Sequence, residues 1–210
     1  YMSDDEAQSI LAAGIEGEPM TEPRVIRFQT GRRKKQWNKN CIAVGLSSGF
    51  MEPLESTSIH LIQQSILRLI KMFPRNGVKQ VDVDEFNRQT DQSFENIRDF
   101  IVLHYHATER NDSAFWRHCQ SMEIPDSLVR RLDLFKQSGR LFLGNYELFI
   151  DSWLQVMIGQ GLVPQEYHAV VDNMEAPELK NFLGKIRAGI DRTVEKMPSH
   201  ADYLDQFCRG

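Results

Sequence analysis

A chain of 210 residues with 41% hydrophobic content has room for one large domain or two small ones around a real core, which excludes wholesale disorder. A net charge of −4 provides no global field for nucleic acid or an anionic membrane, and no segment reaches the roughly 18 consecutive apolar residues of a membrane span. Three scattered cysteines, Cys41, Cys119 and Cys208, match neither a metal site nor a disulfide framework, so a reducing, cytoplasmic setting without a structural metal is expected.

The chain opens on Tyr1 and enters a capped helix almost at once, as expected of a piece of something longer. Ser3 followed three positions later by Glu6 is a capping box that predicts a helix to about Ala13, ended by Gly14 and Gly17. Pro23 to Thr30 alternates as a strand, Gly31 turns the chain, and Cys41 to Leu46 is apolar or small on both faces, which predicts a strand interior to a sheet. Ile59, Ile62, Ile66, Leu69 and Ile70 then recur at helical spacing up to Pro74. Beyond this point strand signals nearly vanish. Helices are predicted from Asp84 to His106, from Asp126 over Leu128, Leu132 and Phe135, from Tyr146 to Ile158 and from Glu178 to Lys196.

The pattern is α/β over about 1–76 and mostly helical over 77–210. Two strands cannot close a sheet, and an interior strand needs neighbours on both sides. The partner strands are therefore expected in chain that precedes Tyr1.

The stretch 45–60 concentrates the chemistry. Four N–H groups at a helix start lack intrahelical partners and carry the positive end of the macrodipole, so Ser56, Thr57 and Ser58 suit an anion or a cofactor edge. Read alone, Pro53 before a Ser/Thr-rich stretch is also an ordinary helix cap. Glu55, between apolar Leu54 and Ser56-Thr57-Ser58-Ile59, places a carboxylate beside this anion-friendly terminus.

The string Gly49-Phe50-Met51-Glu52-Pro53-Leu54-Glu55-Ser56-Thr57-Ser58-Ile59 resembles the core of flavin-dependent tryptophan halogenases, Gly-Phe-Leu-Glu-Pro-Leu-Glu-Ser-Thr-(Gly/Ser)-Ile. Arg27 to Arg33, Trp37 to Asn40, Phe115-Trp116-Arg117 and Ser152 to Gly161 extend the resemblance over essentially the whole chain. The family's Gly-x-Gly-x-x-Gly and Trp-x-Trp-x-Ile-Pro signatures are not in these 210 residues, nor is the segment with its halogen-transferring lysine. The resemblance thus implies a C-terminal portion: the end of an FAD-dependent monooxygenase-like module (1–76) followed by a helical substrate-binding module (77–210). Such a portion alone is expected neither to bind FAD tightly nor to turn over.

In this family reduced FAD, oxygen and chloride or bromide generate hypohalous acid, which reaches an electron-rich indole, and a separate flavin reductase supplies the reduced cofactor. The resemblance implies Glu55 and Ser56 at the substrate end, Thr57 and Ser58 amides around the halide, and Leu46, Gly49, Pro53 and Ile59 against flavin. It is compatible with a homodimer. The family's paired tyrosines are replaced here by Leu141 to Phe149, which points to an indole-like or larger, carrier-bound aromatic instead of free tryptophan, with Phe142, Phe149 and Trp153 as pocket candidates. The alternatives are a non-catalytic helical interaction module and a hydroxylating flavin monooxygenase.

Other clusters read more plainly. His104 and His106 point about 200° apart on a helix, unsuited to joint metal ligation. The basic run 32–39 reads as a solvated connection and Cys41 as an inert buried thiol.

Overall fold

The computed structural model describes residues 2–142 and 150–209. Helix α1 (Asp4–Ala13) starts where the sequence places it, with Ser3 Oγ accepting the Glu6 N–H at 3.1 Å and three acids in its first turn. No α1 residue is buried.

Both strand expectations need correction. Residues 23–30 form no strand, and Val25, Ile26 and Phe28 are exposed. Among the described residues no neighbouring strand receives their backbone groups, and alternation without a ladder does not make a strand. Only Phe28 finds an aromatic neighbour, Phe50, at 4.9 Å. The expected interior strand 41–46 also contracts. Strands β1 (Gly31–Arg32), β2 (Trp37–Asn38), β3 (Cys41–Ile42) and β4 (Gly49–Phe50) form two separate antiparallel pairs, β1 with β4 and β2 with β3. Gly45 adopts φ 68°, which no strand continues, and opens a 3-10 turn over Gly45–Ser47. Cys41 and Leu46 are consequently exposed.

The helices are α2 (Ser58–Lys71), α3 (Gln80–His106), α4 (Ala114–Ser121), α5 (Asp126–Ser138), α6 (Ile150–Gly159), α7 (Ala176–Val194) and α8 (His200–Phe207). The short α4 and α8 had no periodic signal of useful length, although each is opened by a serine N-cap, Ser113 and Ser199. The predicted start of α6 at Tyr146 lies outside the described residues. Among the described residues after 77 there is no strand.

The 27-residue α3 is the axis of the packing, about 40 Å long. Its first half buries Val83 and Phe86 against Trp37, whose ring meets Phe86 edge-on at 5.5 Å, with Leu69 of α2 and its C-cap Met72 beside them. Its second half buries Phe100 and Leu103 against Leu128, Leu132 and Phe135 of α5 and Trp153 and Met157 of α6. One helix thereby serves both the strand-bearing segment and the helical one.

Polar groups on α3 fix the first segment onto it. Asn87 Oδ1 accepts the N–H groups of Gln36 at 2.9 Å and Trp37 at 2.8 Å, while its Nδ2 donates to the Trp37 carbonyl at 2.9 Å. Arg32 pairs with Asp91 and Glu95, so the basic run is in part a strap and not wholly a solvated connection. Buried Arg68 of α2 donates to Gln89, Thr90 and Ser93 at 2.9–3.1 Å. Burial lowers its pKa, and the nearby Glu85 carboxylate counteracts this.

Candidate active site

Strand β4 delivers the chain to Met51-Glu52-Pro53, which enters a 3-10 turn over Leu54–Ser56. Two contacts tighten it: Glu52 Oε1 accepts the Leu54 N–H at 3.1 Å, and the Ser56 N–H donates to the Pro53 carbonyl at 2.8 Å. Glu55 and Ser56 then occupy the left-handed region consecutively, at φ 67° and 51°. A non-glycine residue there costs on the order of 1–3 kcal/mol, and such strain clusters at functional sites. Thr57 returns to the right-handed region at φ −76°, ψ −10°. A left-handed residue followed by a right-handed one turns successive N–H groups to one side, forming an anion-binding concavity. Here it adjoins the N-terminus of α2, whose first N–H groups have no helical acceptor. Thr57 is buried and its carbonyl accepts the Leu61 N–H at 3.0 Å, which holds the turn to the helix.

The Glu55 carboxylate does not hang in solvent. Its Oε1 lies 2.9 Å from Nε2 of His104, on the second half of α3. The His104 Nδ1 lies 2.7 Å from the Phe100 carbonyl, and its ring stands edge-on to Phe100 at 4.7 Å. Phe100, fully buried, in turn meets Trp153 at 4.9 Å. A continuous chain of contacts therefore links the strained turn to the helical core.

On the neighbouring face of α3, a cavity of about 350 Å³ lies between β1, Met51-Glu52 and the helix, floored by Phe94, Ile101 and Val102 and edged by Arg32, Glu95 and Arg98. Glu52 turns a buried carboxylate oxygen, Oε2, toward this cavity, with the Tyr105 phenol beside the carboxylate. Burial raises the pKa of the Tyr105 phenol, and the Glu52 carboxylate beside it raises it further. In the first turns of α2, burial lowers the imidazole of His60 from its ordinary 6.5.

The remaining candidates separate. Leu46 and Ile59 are both exposed, near the junction where the Gly45–Ser47 turn packs on α2. Pro53 opens the 3-10 turn. Gly49 has a structural reason of its own: a Cβ there would stand 2.7 Å from the Gly31 carbonyl oxygen and 2.9 Å from the Arg32 Cα, so the β1–β4 pair closes only around glycine. Trp153 is 1% exposed, in the core beneath the guanidinium of Arg131 at 4.2 Å. Phe142 is exposed along a groove of about 870 Å³ walled by Gln92, Asn96, Arg130, Arg131 and Leu134. Phe149 lies outside the described residues. The structure thus brings Glu55, Ser56, Thr57 and Ser58 together, and places Trp153 behind the site instead of on an open pocket wall.

A family model described as tryptophan halogenase matches residues 1–176. The chain belongs to the tryptophan halogenase family. It is 30% identical over 225 residues to tryptophan 7-halogenase RebH of Lentzea aerocolonigenes, which covers 98% of this chain and 42% of that protein. The fold resembles that of Xcc4156, a flavin-dependent halogenase from Xanthomonas campestris, with a TM-score of 0.93 and 49% identity over 100% of this chain and 43% of that one. BrvH, a flavin-dependent halogenase from Brevundimonas sp. BAL3, gives a TM-score of 0.89 and 44% identity over 98% of this chain and 42% of its own. The chain spans about two-fifths of the length of these halogenases, as the 42% and 43% coverages state.

Within this halogenase-family chain the sequence reading missed His104 as a neighbour of Glu55. The two are far apart in the chain, and nothing in helical periodicity announces which face of α3 will meet the turn. The consecutive left-handed backbone at Glu55 and Ser56 also escaped it, since neither residue type signals positive φ.

Proposed function

We propose that this chain is the C-terminal part of a flavin-dependent halogenase acting on an indole-like aromatic with reduced FAD, oxygen and chloride or bromide. The observation that carries this reading is the turn at Glu55–Thr57, where left-handed backbone at Glu55 and Ser56 runs into right-handed Thr57 at the start of α2, a conformation suited to gathering N–H groups around an anion, with the Glu55 carboxylate on the same turn. A halide needs N–H donors without a side-chain cation that would hold it too tightly, and the amides of Thr57 and Ser58 suit that need. Glu55 and Ser56 face the aromatic substrate in this reading, Glu55 orienting it and taking part in proton movement at its ring.

The exposed apolar side chains of Leu46 and Ile59, next to the α2 N-terminus, fit the flat face of a flavin ring, and Gly49 and Pro53 shape the turn beneath it. Bound there, reduced FAD supplies with oxygen the oxidising equivalents that make halide electrophilic. Residues 1–76 are the edge of the flavin module and 77–210 the substrate-binding module, with Phe142 and Phe149 as pocket candidates and Trp153 supporting the pocket from the core. A separate flavin reductase delivers the cofactor, and a homodimer and a carrier-bound substrate are compatible with the surface. Among the described residues no helix is long and apolar enough to cross a membrane.

The test is the complete protein supplied with a flavin reductase, indole and bromide, with products read by mass spectrometry. Brominated indole is expected. Hydroxylated indole without brominated product would overturn the reading in favour of a hydroxylating monooxygenase.

A further inference from the structure

We propose that His104 is a positioning residue for Glu55, fixing the orientation of its carboxylate. This inference rests on Glu55 acting at the substrate, as proposed above. His104 Nδ1 lies 2.7 Å from the Phe100 carbonyl, an acceptor that carries no proton. That contact assigns a hydrogen to Nδ1. Nε2, on the opposite edge of the ring, lies 2.9 Å from Glu55 Oε1, within hydrogen-bond reach.

The surroundings make His104 a rigid support. Its side chain is 16% exposed against 32% for Glu55, and its ring is wedged edge-on against fully buried Phe100. The carbonyl bond on one side and the carboxylate on the other leave the imidazole little freedom to rotate. Glu55 projects from left-handed backbone at φ 67°, and its side chain is held at its far end by His104. Misplacement of a reacting group by about 1 Å costs on the order of a hundredfold in rate.

Two isosteric variants separate this role from mere packing. The amide of His104→Asn reaches the position of Nδ1 and keeps the bond to the Phe100 carbonyl, but falls short of Glu55. The amide of His104→Gln reaches the position of Nε2 and keeps a donor on Glu55. In the complete protein with reductase, indole and bromide, His104→Asn is expected to lower kcat at least about tenfold with KM for indole within about threefold, and His104→Gln to stay within about threefold of the parent in kcat. In a Glu55→Ala background, His104→Asn should add no further loss, because a residue that acts through another has nothing left to act on. Equal losses in both single variants, a parent-like His104→Asn, or multiplying losses in the double variant would overturn the positioning role while Glu55→Ala alone remains impaired. A Glu55→Ala variant with parental kcat would instead overturn the reading of Glu55 itself, and this inference with it.

Discussion

At the scale of single residues, the proposed site sets a carboxylate beside a turn suited to an anion, and the carboxylate would repel an anion bound next to it. The Glu55 carboxylate has a partner of its own in His104, whose Nε2 lies 2.9 Å from Oε1. Exchanging Glu55 for Gln keeps size and hydrogen bonding but removes the charge. Glu55→Gln in the complete protein is expected to lower kcat by about a hundredfold or more while leaving halide dependence of the residual rate nearly unchanged. Steady-state bromination at varied bromide reads both. His60 gives a second residue-scale expectation, with a definite sign. Burial holds its folded-state pKa below 6.5, so as pH falls the unfolded chain takes up the proton first. Stability is intact above pH 6.5 and is lost as pH drops through the folded value. The melting temperature should therefore fall between about pH 7.5 and about pH 5.5, and fall less in His60→Asn, measured by circular dichroism.

At the scale of elements, the sequence was most legible where one face of a helix is periodic. Helices α2, α3, α5 and α7 lie within a few residues of their predicted spans, because apolar spacing at 3–4 residues has one solution. The strands were misread for a physical reason. Alternation at 23–30 and apolarity at 41–46 describe what a segment offers, whereas strand structure depends on what lies beside it. In the candidate site, the residue types at 55–58 were legible as chemistry. The left-handed turn and the reach of His104 were not, since both arise from how α3 meets the turn. The same dependence governs Asn87, a polar residue on a helix that looked unremarkable in sequence. Its side chain satisfies two N–H groups and one carbonyl of the segment Gln36-Trp37, whose side chains are both buried. Asn87→Ala strands all three, each worth about 1 kcal/mol or more when buried, so a loss of roughly 2–4 kcal/mol is expected in urea unfolding. Asn87→Asp keeps the acceptor and should lose less.

At the scale of the whole molecule, burial is uneven, and its distribution bears on where flavin binding resides. Among the described residues two buried clusters lie along α3, whereas α2 exposes Ile59, Ile66, Ile70 and, just beyond it, Phe73, and α7 exposes Phe182, Leu183, Ile186 and Ile190. Contiguous apolar faces of this kind mark interaction surfaces, and Leu46 and Ile59 lie on one of them. Flavin affinity in nucleotide-binding folds comes mainly from cradling the pyrophosphate at a glycine-rich turn and helix N-terminus. No Gly-x-Gly-x-x-Gly occurs in these 210 residues, so this chain offers only an apolar edge and a short N–H concavity. In the proposed reading such contacts would orient a ring that is already bound without supplying the affinity to bind it. The isolated 210-residue chain is therefore expected to lose added FAD on desalting, with no visible flavin absorbance left, while binding a hydrophobic dye through the exposed faces of α2 and α7. Flavin absorbance retained in a one-to-one ratio would locate the principal flavin contacts within this chain, and would move Leu46 and Ile59 from ring orientation to affinity.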